Sequence, residues 1–171
     1  MVPFLKEDLS SAGFDHNCMD VNEQLVDLRP KNSWVKYLEE VPVTEFVEVL
    51  MVNVIGPYIL NQQFQPLLAQ KQPSDRPSFI VNVSAMEGVF YAPFKSARHP
   101  HTNMAKAALN MMTRTCGIDL ASQGIYMTSV DTGWVTDEMP LSHENKFTAP
   151  LDEVDGAMRI IDPIFLGLQG K

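Results

Sequence analysis

The stretch Ser78-Phe79-Ile80-Val81-Asn82-Val83-Ser84 decides the fold. It is a short apolar run rich in β-branched residues and flanked by turn formers, which reads as a buried strand. Lys71 to Pro77 ahead of it, with Pro73, Ser74, Asp75 and Pro77, reads as a surface loop. A second run of the same kind is Ile125-Tyr126-Met127-Thr128-Ser129-Val130-Asp131. Between the two, Ala105, Lys106, Ala107, Ala108, Leu109 and Met111 are good helix formers, and the spacing predicts a helix from about Thr102 to Ser122, closed by Gly124. Strand, helix and strand in that order predict a right-handed βαβ unit and a parallel sheet.

Upstream, Phe46, Leu50, Val54 and Tyr58 recur at helical spacing, with Thr44 as a cap and Glu45 and Glu48 suited to the positive end. This helix is expected to run to about Gln70, bent at Gly56-Pro57 and interrupted again by Pro66. Residues 1–42 are mixed and polar, with turn formers at Ser10, Gly13, Asn17, Pro30 and Asn32, and read as a poorly structured segment before one domain over 43–171. Downstream, Leu151 to about Ile161 reads as a last helix with Asp152, Glu153 and Asp155 in its first turn. The fold class is therefore α/β, a partial Rossmann-like, doubly wound parallel sheet whose N-terminal βαβ half is missing. No glycine-rich strand-to-helix turn opens the chain to supply that half.

Thirteen basic against 21 acidic residues leave a net charge of -8, which argues against nucleic acid and anionic membranes as partners. Cys18 and Cys116 have neither disulfide-framework nor zinc-ligand spacing, so a reducing, cytoplasmic setting is expected. The N-terminus lacks the basic region and apolar length of a signal peptide, and no later window is expected to span a membrane. His99, His101 and His143 lack supporting carboxylates, and no metal site is expected. Met104, Met111 and Met112 fit core or interface packing, and Trp134 a core or cleft anchor.

In open parallel sheets ligands sit beyond the carboxyl ends of the strands. Those ends here are Ser84 and the turn Asp131-Thr132-Gly133, with Asn53 on the preceding helix and Lys106 near the start of the following one. The local contexts resemble those of the short-chain dehydrogenase/reductase family in four ordered segments. Val52-Asn53-Val54-Ile55-Gly56-Pro57 resembles the helix that carries its structural asparagine, and Ile80 to Ser84 the strand ending in its catalytic serine. Ala105-Lys106-Ala107-Ala108-Leu109 resembles the helix of its lysine, and Val130 to Thr136 the turn that closes over the nicotinamide.

The resemblance covers about residues 43 to 162 and implies hydride transfer between NAD or NADP and a small-molecule carbonyl or alcohol. It implies Asn53, Ser84 and Lys106 as catalytic, and Lys106, Thr132, Gly133, Val135 and Thr136 as cofactor-binding. It also implies a homodimer through helices around 46–68 and 104–120.

Two departures stand beside the matches. The family's acid/base tyrosine lies four residues before the lysine, and that position is Thr102, an aliphatic hydroxyl far less acidic than a phenol of pKa about 10. His101 and Tyr91 are the other candidates for the proton. The adenosine-binding glycine loop is also absent. Two functions are therefore expected: an oxidoreductase incomplete or inactive as this chain alone, or a non-catalytic interaction and dimerisation module derived from the same family.

Overall fold

The computed structural model describes residues 14–19, 25–69, 76–135, 140 and 149–170. Where the sequence reads as loop, the chain forms two short strands, β1 (Phe14–Met19) and β2 (Leu25–Asp27), paired antiparallel. Two 3-10 turns follow, at Ser33–Val35 and Leu38–Glu40. Elements of three to six residues are too short to show a hydrophobic period, so the sequence gives no sign of them.

A single long helical run comes next: α1 (Val43–Leu50), a π-helical turn (Met51–Ile55) and α2 (Gly56–Leu68). The expected bend at Gly56-Pro57 is replaced by that π turn. An α-helical Pro57 would drive its ring against the carbonyl of Asn53, and widening the turn ahead of it relieves the clash. The N–H of Gly56 reaches back to the carbonyl of Met51, one residue further than in an α-helix. The asparagine completes the accommodation, its Nδ2 donating to the Val49 carbonyl at 3.1 Å.

Strand β3 (Ser78–Ser84) and strand β4 (Ile125–Asp131) coincide with the two apolar runs and pair in parallel, Ser78 opposite Ile125 through Ser84 opposite Asp131. Helix α3 (Pro100–Ser122) joins them and starts two residues earlier than expected. Its N-cap is His99 rather than Thr102, in a left-handed conformation (φ 40, ψ 49), and Pro100 takes the first helical position, where its missing N–H costs nothing.

Ile80, Leu120, Ile125 and Met127 form the core between α3 and the sheet, with Leu68, Ala69 and Cys116 packed against it. Cys116 is a free thiol. On the opposite face α4 (Glu153–Leu168) lies close enough to β3 that a Cβ on Gly167 would stand 2.4 Å from the Phe79 ring. This helix opens as expected, on a capping box between Asp152 and Asp155, but continues seven residues beyond Ile161 and contains Pro163. The residues beyond Ile161 are thus the part that packs on the sheet.

Of the two places expected for each, the core is excluded for Trp134, which is 62% exposed, and for Met104 and Met111, which are likewise exposed. One expectation about apolar length is corrected. Residues Val43–Leu68 make a 26-residue helix containing an 18-residue window of mean hydropathy 1.5, long and apolar enough to cross a membrane, against the expectation that no window would be. Scattered polar residues such as Asn53 and Asn61 hide that length from a reading based on unbroken runs. Its contacts with α3 and β3 place it in the helical layer over the sheet.

Candidate functional site

Side chains along β3 alternate between the two faces. Ile80, Asn82 and Ser84 point to the α2 and α3 side and are all buried. Burying a polar Asn82 requires partners. It accepts from Asn61 Nδ2 (3.3 Å) on α2 and donates to Thr113 Oγ1 (2.9 Å) on α3, which also accepts from Ser129 Oγ (2.7 Å) on β4. This four-residue chain ties both helices to both strands and fixes the floor under the site. The sequence reading missed it, although an asparagine inside an apolar strand is the signal that would have found it.

Asn53 and Lys106 come together in one cleft of about 290 Å³ between α2, β3 and α3, with Pro57, Leu60 and Leu109 as apolar walls. The Lys106 amine donates to the Val83 carbonyl at 3.1 Å. Burial holds its pKa below the ordinary lysine value, opposed by the charge of Glu87. Ser84 is adjacent to Val83, and its hydroxyl lies 3.4 Å from the backbone carbonyl of Lys106, a weak bond at that length. Gly88 lets the chain after β3 run against α3 here, since a Cβ on it would sit 2.6 Å from the Lys106 backbone. Asn53 keeps a structural hydrogen bond inside its own helix rather than reaching for Lys106.

The candidate replacements for the phenol do not converge on the amine. Thr102 Oγ1 donates to the His99 carbonyl at 2.9 Å, within the first turn of α3. His101 is 2% exposed and turned to α1, where its Nε2 lies 3.2 Å from Glu45 Oε1. Burial lowers the His101 pKa, with Glu45 acting against it. Glu45 also accepts from Ser33 Oγ and Lys36 Nζ, both at 2.5 Å, and these bonds hold its pKa below the usual carboxylate value despite burial. His101 therefore belongs to a latch joining the 33–36 turn, α1 and α3. Tyr91 is 96% exposed on the loop before α3.

At the end of β4, Asp131 Oδ1 accepts from the Gly133 N–H at 2.9 Å and shapes the turn. Gly133 has φ +75, which favours glycine, and a Cβ there would meet the ends of the Leu151 and Arg159 side chains, which would have to shift. Thr132 Oγ1 lies 3.4 Å from the Gly133 carbonyl, and Val135 packs against Gly156. Thr136 and His143 lie outside the described residues. Among the described residues no group of three metal-ligating side chains gathers.

A nicotinamide cofactor is tested by these contacts. A half-buried amine at Lys106 beside the carboxyl end of β3 suits the nicotinamide ribose, and the positive-φ turn at Gly133 offers backbone for a carboxamide. The sequence offers no glycine-rich loop for the pyrophosphate.

A family model described as enoyl-(acyl carrier protein) reductase matches residues 30–160. Among curated proteins, an uncharacterized protein of Acanthamoeba polyphaga mimivirus is 32% identical over 152 residues, which is 83% of this chain and 32% of that one. Among solved structures, carbonyl reductase Sniffer of D. melanogaster superposes with a TM-score of 0.59 at 26% identity, over 72% of this chain and 50% of that chain. The NADPH-bound carbonyl reductase from chicken fatty liver gives a TM-score of 0.54 at 24% identity, over 70% and 48%. This chain thus spans about a third of that curated relative and half of those solved structures. The match over 30–160, joined to the ordered segments around Asn53, Ser84, Lys106 and Gly133, means that the chain belongs to the short-chain dehydrogenase/reductase family.

Proposed function

We propose that this chain supplies the nicotinamide and substrate side of an NAD(P)-dependent oxidoreductase acting on a small carbonyl or alcohol, and turns over poorly by itself. The observation that carries this is the half-buried Lys106 amine held at the carboxyl end of β3, next to Ser84 and across the cleft from Asn53. Lys106, Thr132, Gly133, Val135 and Thr136 would hold the nicotinamide end, and the cofactor when bound supplies or takes the hydride. Lys106 contributes a positive field and a ribose contact. Ser84 polarises the substrate oxygen once a χ1 rotation turns its hydroxyl from the Lys106 carbonyl to the strand end. Asn53 holds the π turn of its helix open and so sets the cleft width.

The proton is the weak point. Among the described residues no phenol lines the cleft, Thr102 is occupied by His99, and His101 is buried in the Glu45 latch. Binding without efficient turnover is the expected behaviour, because positioning and acid/base catalysis are separate contributions.

A second reading, a non-catalytic dimerisation module, is favoured by one observation. Met51, Ile55, Tyr58, Ile59, Phe64 and Leu67 on the long helix are all exposed, as are Met104, Met111 and Ile118 on α3. Apolar surface of that extent is normally covered. A homodimer through the 46–68 and 104–120 helices would cover it under either reading, and a cytoplasmic, reducing setting suits the free Cys116. Light scattering giving one protomer mass at tens of micromolar would count against the dimer.

Titration with NAD and NADP, followed by thermal shift and Trp134 fluorescence, separates the readings. A millimolar or tighter response that Lys106→Ala abolishes supports the oxidoreductase. No response at millimolar cofactor leaves the module.

A further inference from the structure

Lys106 differs from the other lysines among the described residues. Lys31 and Lys36 pair with Glu40 and Glu45, and Lys95 donates to the Glu87 carbonyl at 2.6 Å on the exposed loop. The Lys106 amine has no carboxylate at ion-pair distance among the described residues. Its hydrogen bond goes to the neutral Val83 carbonyl at 3.1 Å, and Val52, Pro57, Leu60, Ile80 and Leu109 line the same cleft. It also has no phenol to acidify, since Thr102 fills that position and donates its hydroxyl to the His99 carbonyl. An ammonium in these surroundings lacks a counter-ion, whereas a neutral amine makes the same bond to Val83 and keeps its lone pair free. Burial accordingly holds the Lys106 pKa below the ordinary lysine value. A desolvated lysine with a free lone pair is a nucleophile toward carbonyl carbon. One acid group stands near it. Glu87 lies on the 3-10 turn Met86–Gly88 after β3, and that turn is pressed on α3 at Lys106. Asn110 Nδ2 fastens it by donating to the Gly88 carbonyl at 3.2 Å, and the charge of Glu87 acts on the amine.

We propose that Lys106 and Glu87 form a carbonyl-capturing pair, in which the amine binds a small apolar ketone covalently as an imine. The amine lone pair forms a C–N bond to the carbonyl carbon while the C=O π pair moves to oxygen. One amine proton passes through Glu87 to that oxygen, and the second follows as the C=N bond forms and water leaves. No oxidant or reductant is consumed. The apolar walls take the two carbon arms of the ketone, and a cleft of about 290 Å³ keeps them short. Capture uses no nicotinamide, so it goes beyond the oxidoreductase reading and is tested apart from it, without cofactor.

Reductive trapping measures this directly. Methyl propyl ketone is added to the full chain at neutral pH with cyanoborohydride, which reduces imines and leaves ketones, and peptide mass mapping reads which lysine gains the pentyl group. Each unit by which a lysine pKa falls raises its neutral fraction about tenfold, so Lys106 is expected to be labelled about tenfold or more faster than the other lysines. Glu87→Gln separates a proton carrier from a mere charge. Without the carboxylate the amine is more often neutral, so a charge alone gives faster labelling, whereas loss of the carrier gives labelling several-fold slower, the expected result. If Glu87→Gln does not fold, the comparison among lysines of the unaltered protein decides alone. The proposal is overturned by labelling of Lys106 no faster than that of the other lysines, or by equal or faster labelling of Lys106 in a folded Glu87→Gln.

Discussion

Helix α3 and the long helical run over Val43–Leu68 lie in the same layer and use their apolar residues in opposite ways. In α3, His101, Ala105, Leu109 and Leu120 are buried, although the helix is only weakly apolar overall. The run over Val43–Leu68 is apolar enough over 18 residues to cross a membrane, yet none of its residues is fully buried. Apolarity alone therefore does not locate the core. What places α3 in it is the crossover: a helix joining two adjacent parallel strands must lie back across both. The long helix is joined to the rest through the Glu45 latch, Asn61, Gln65 and Leu68, and many of its apolar side chains stay exposed.

Core truncation should separate the two helices most sharply. Leu120→Ala on α3 is expected to cost about 2–5 kcal/mol in urea unfolding. Phe64→Ala on α2 should stay within about 0.5 kcal/mol for the protomer. If a dimer covers that face, the Phe64→Ala effect should grow with protein concentration. Equal, concentration-independent losses for both variants would break the contrast.

A smaller effect is expected where the chain threads under α3. Gly88→Ala puts a methyl group 2.6 Å from the Lys106 backbone, which cannot yield as a side chain can. It should destabilise by about 1–3 kcal/mol and disturb the Lys106 position. A thermal midpoint unchanged from the parent would show that this approach is looser than the geometry implies.

The joint between the two helices should respond to pH. Burial lowers the pKa of His101, so the unfolded chain binds a proton more readily than the folded one. Stability from this residue is complete above the ordinary imidazole value of about 6.5 and is lost as pH falls through the folded pKa. Glu45, also lowered, adds a loss of the same sign at more acid pH. His99, buried with its pKa lowered in the same direction, contributes alongside. Urea midpoints between pH 7.5 and 5.5 should fall less steeply in His101→Gln than in the parent. Parallel slopes would show that His101 does not carry this pH dependence.

The smallest effect belongs to the loop before α3. Tyr91→Phe removes a hydroxyl from a side chain that is 96% exposed and should change stability by less than about 0.5 kcal/mol. A loss of any measurable turnover in this variant, with stability intact, would identify Tyr91 as the proton donor after a movement of its loop.

Much of the fold was legible. Both parallel strands were read to the residue, because a buried strand is a compact apolar run between turn formers, and its length is set by the sheet. The start of α4, with its acidic first turn, was read for the same kind of local reason. The strands β1 and β2 were not, and neither was the continuation of α4 through Pro163. A proline's cost to a helix is a local rule, and packing of Gly167 on Phe79 outweighs it. At the site, the four segments around Asn53, Ser84, Lys106 and Gly133 were visible as residue patterns, whereas the Asn61–Asn82–Thr113–Ser129 chain joins four elements and has no local pattern.

The sequence by itself determined the family, the βαβ unit and the identity of the residues at the strand ends, since each depends on neighbours within a few positions. It also determined that a threonine stands where the family has its phenol. Only the tertiary structure decided what those residues face. It turned His101 into α1, tied Thr102 to His99 and laid Lys106 against the Val83 carbonyl, because directions in space depend on elements far apart in the chain. The same packing left the long apolar helix over Val43–Leu68 largely uncovered, a matter of which surfaces meet rather than of how apolar each one is.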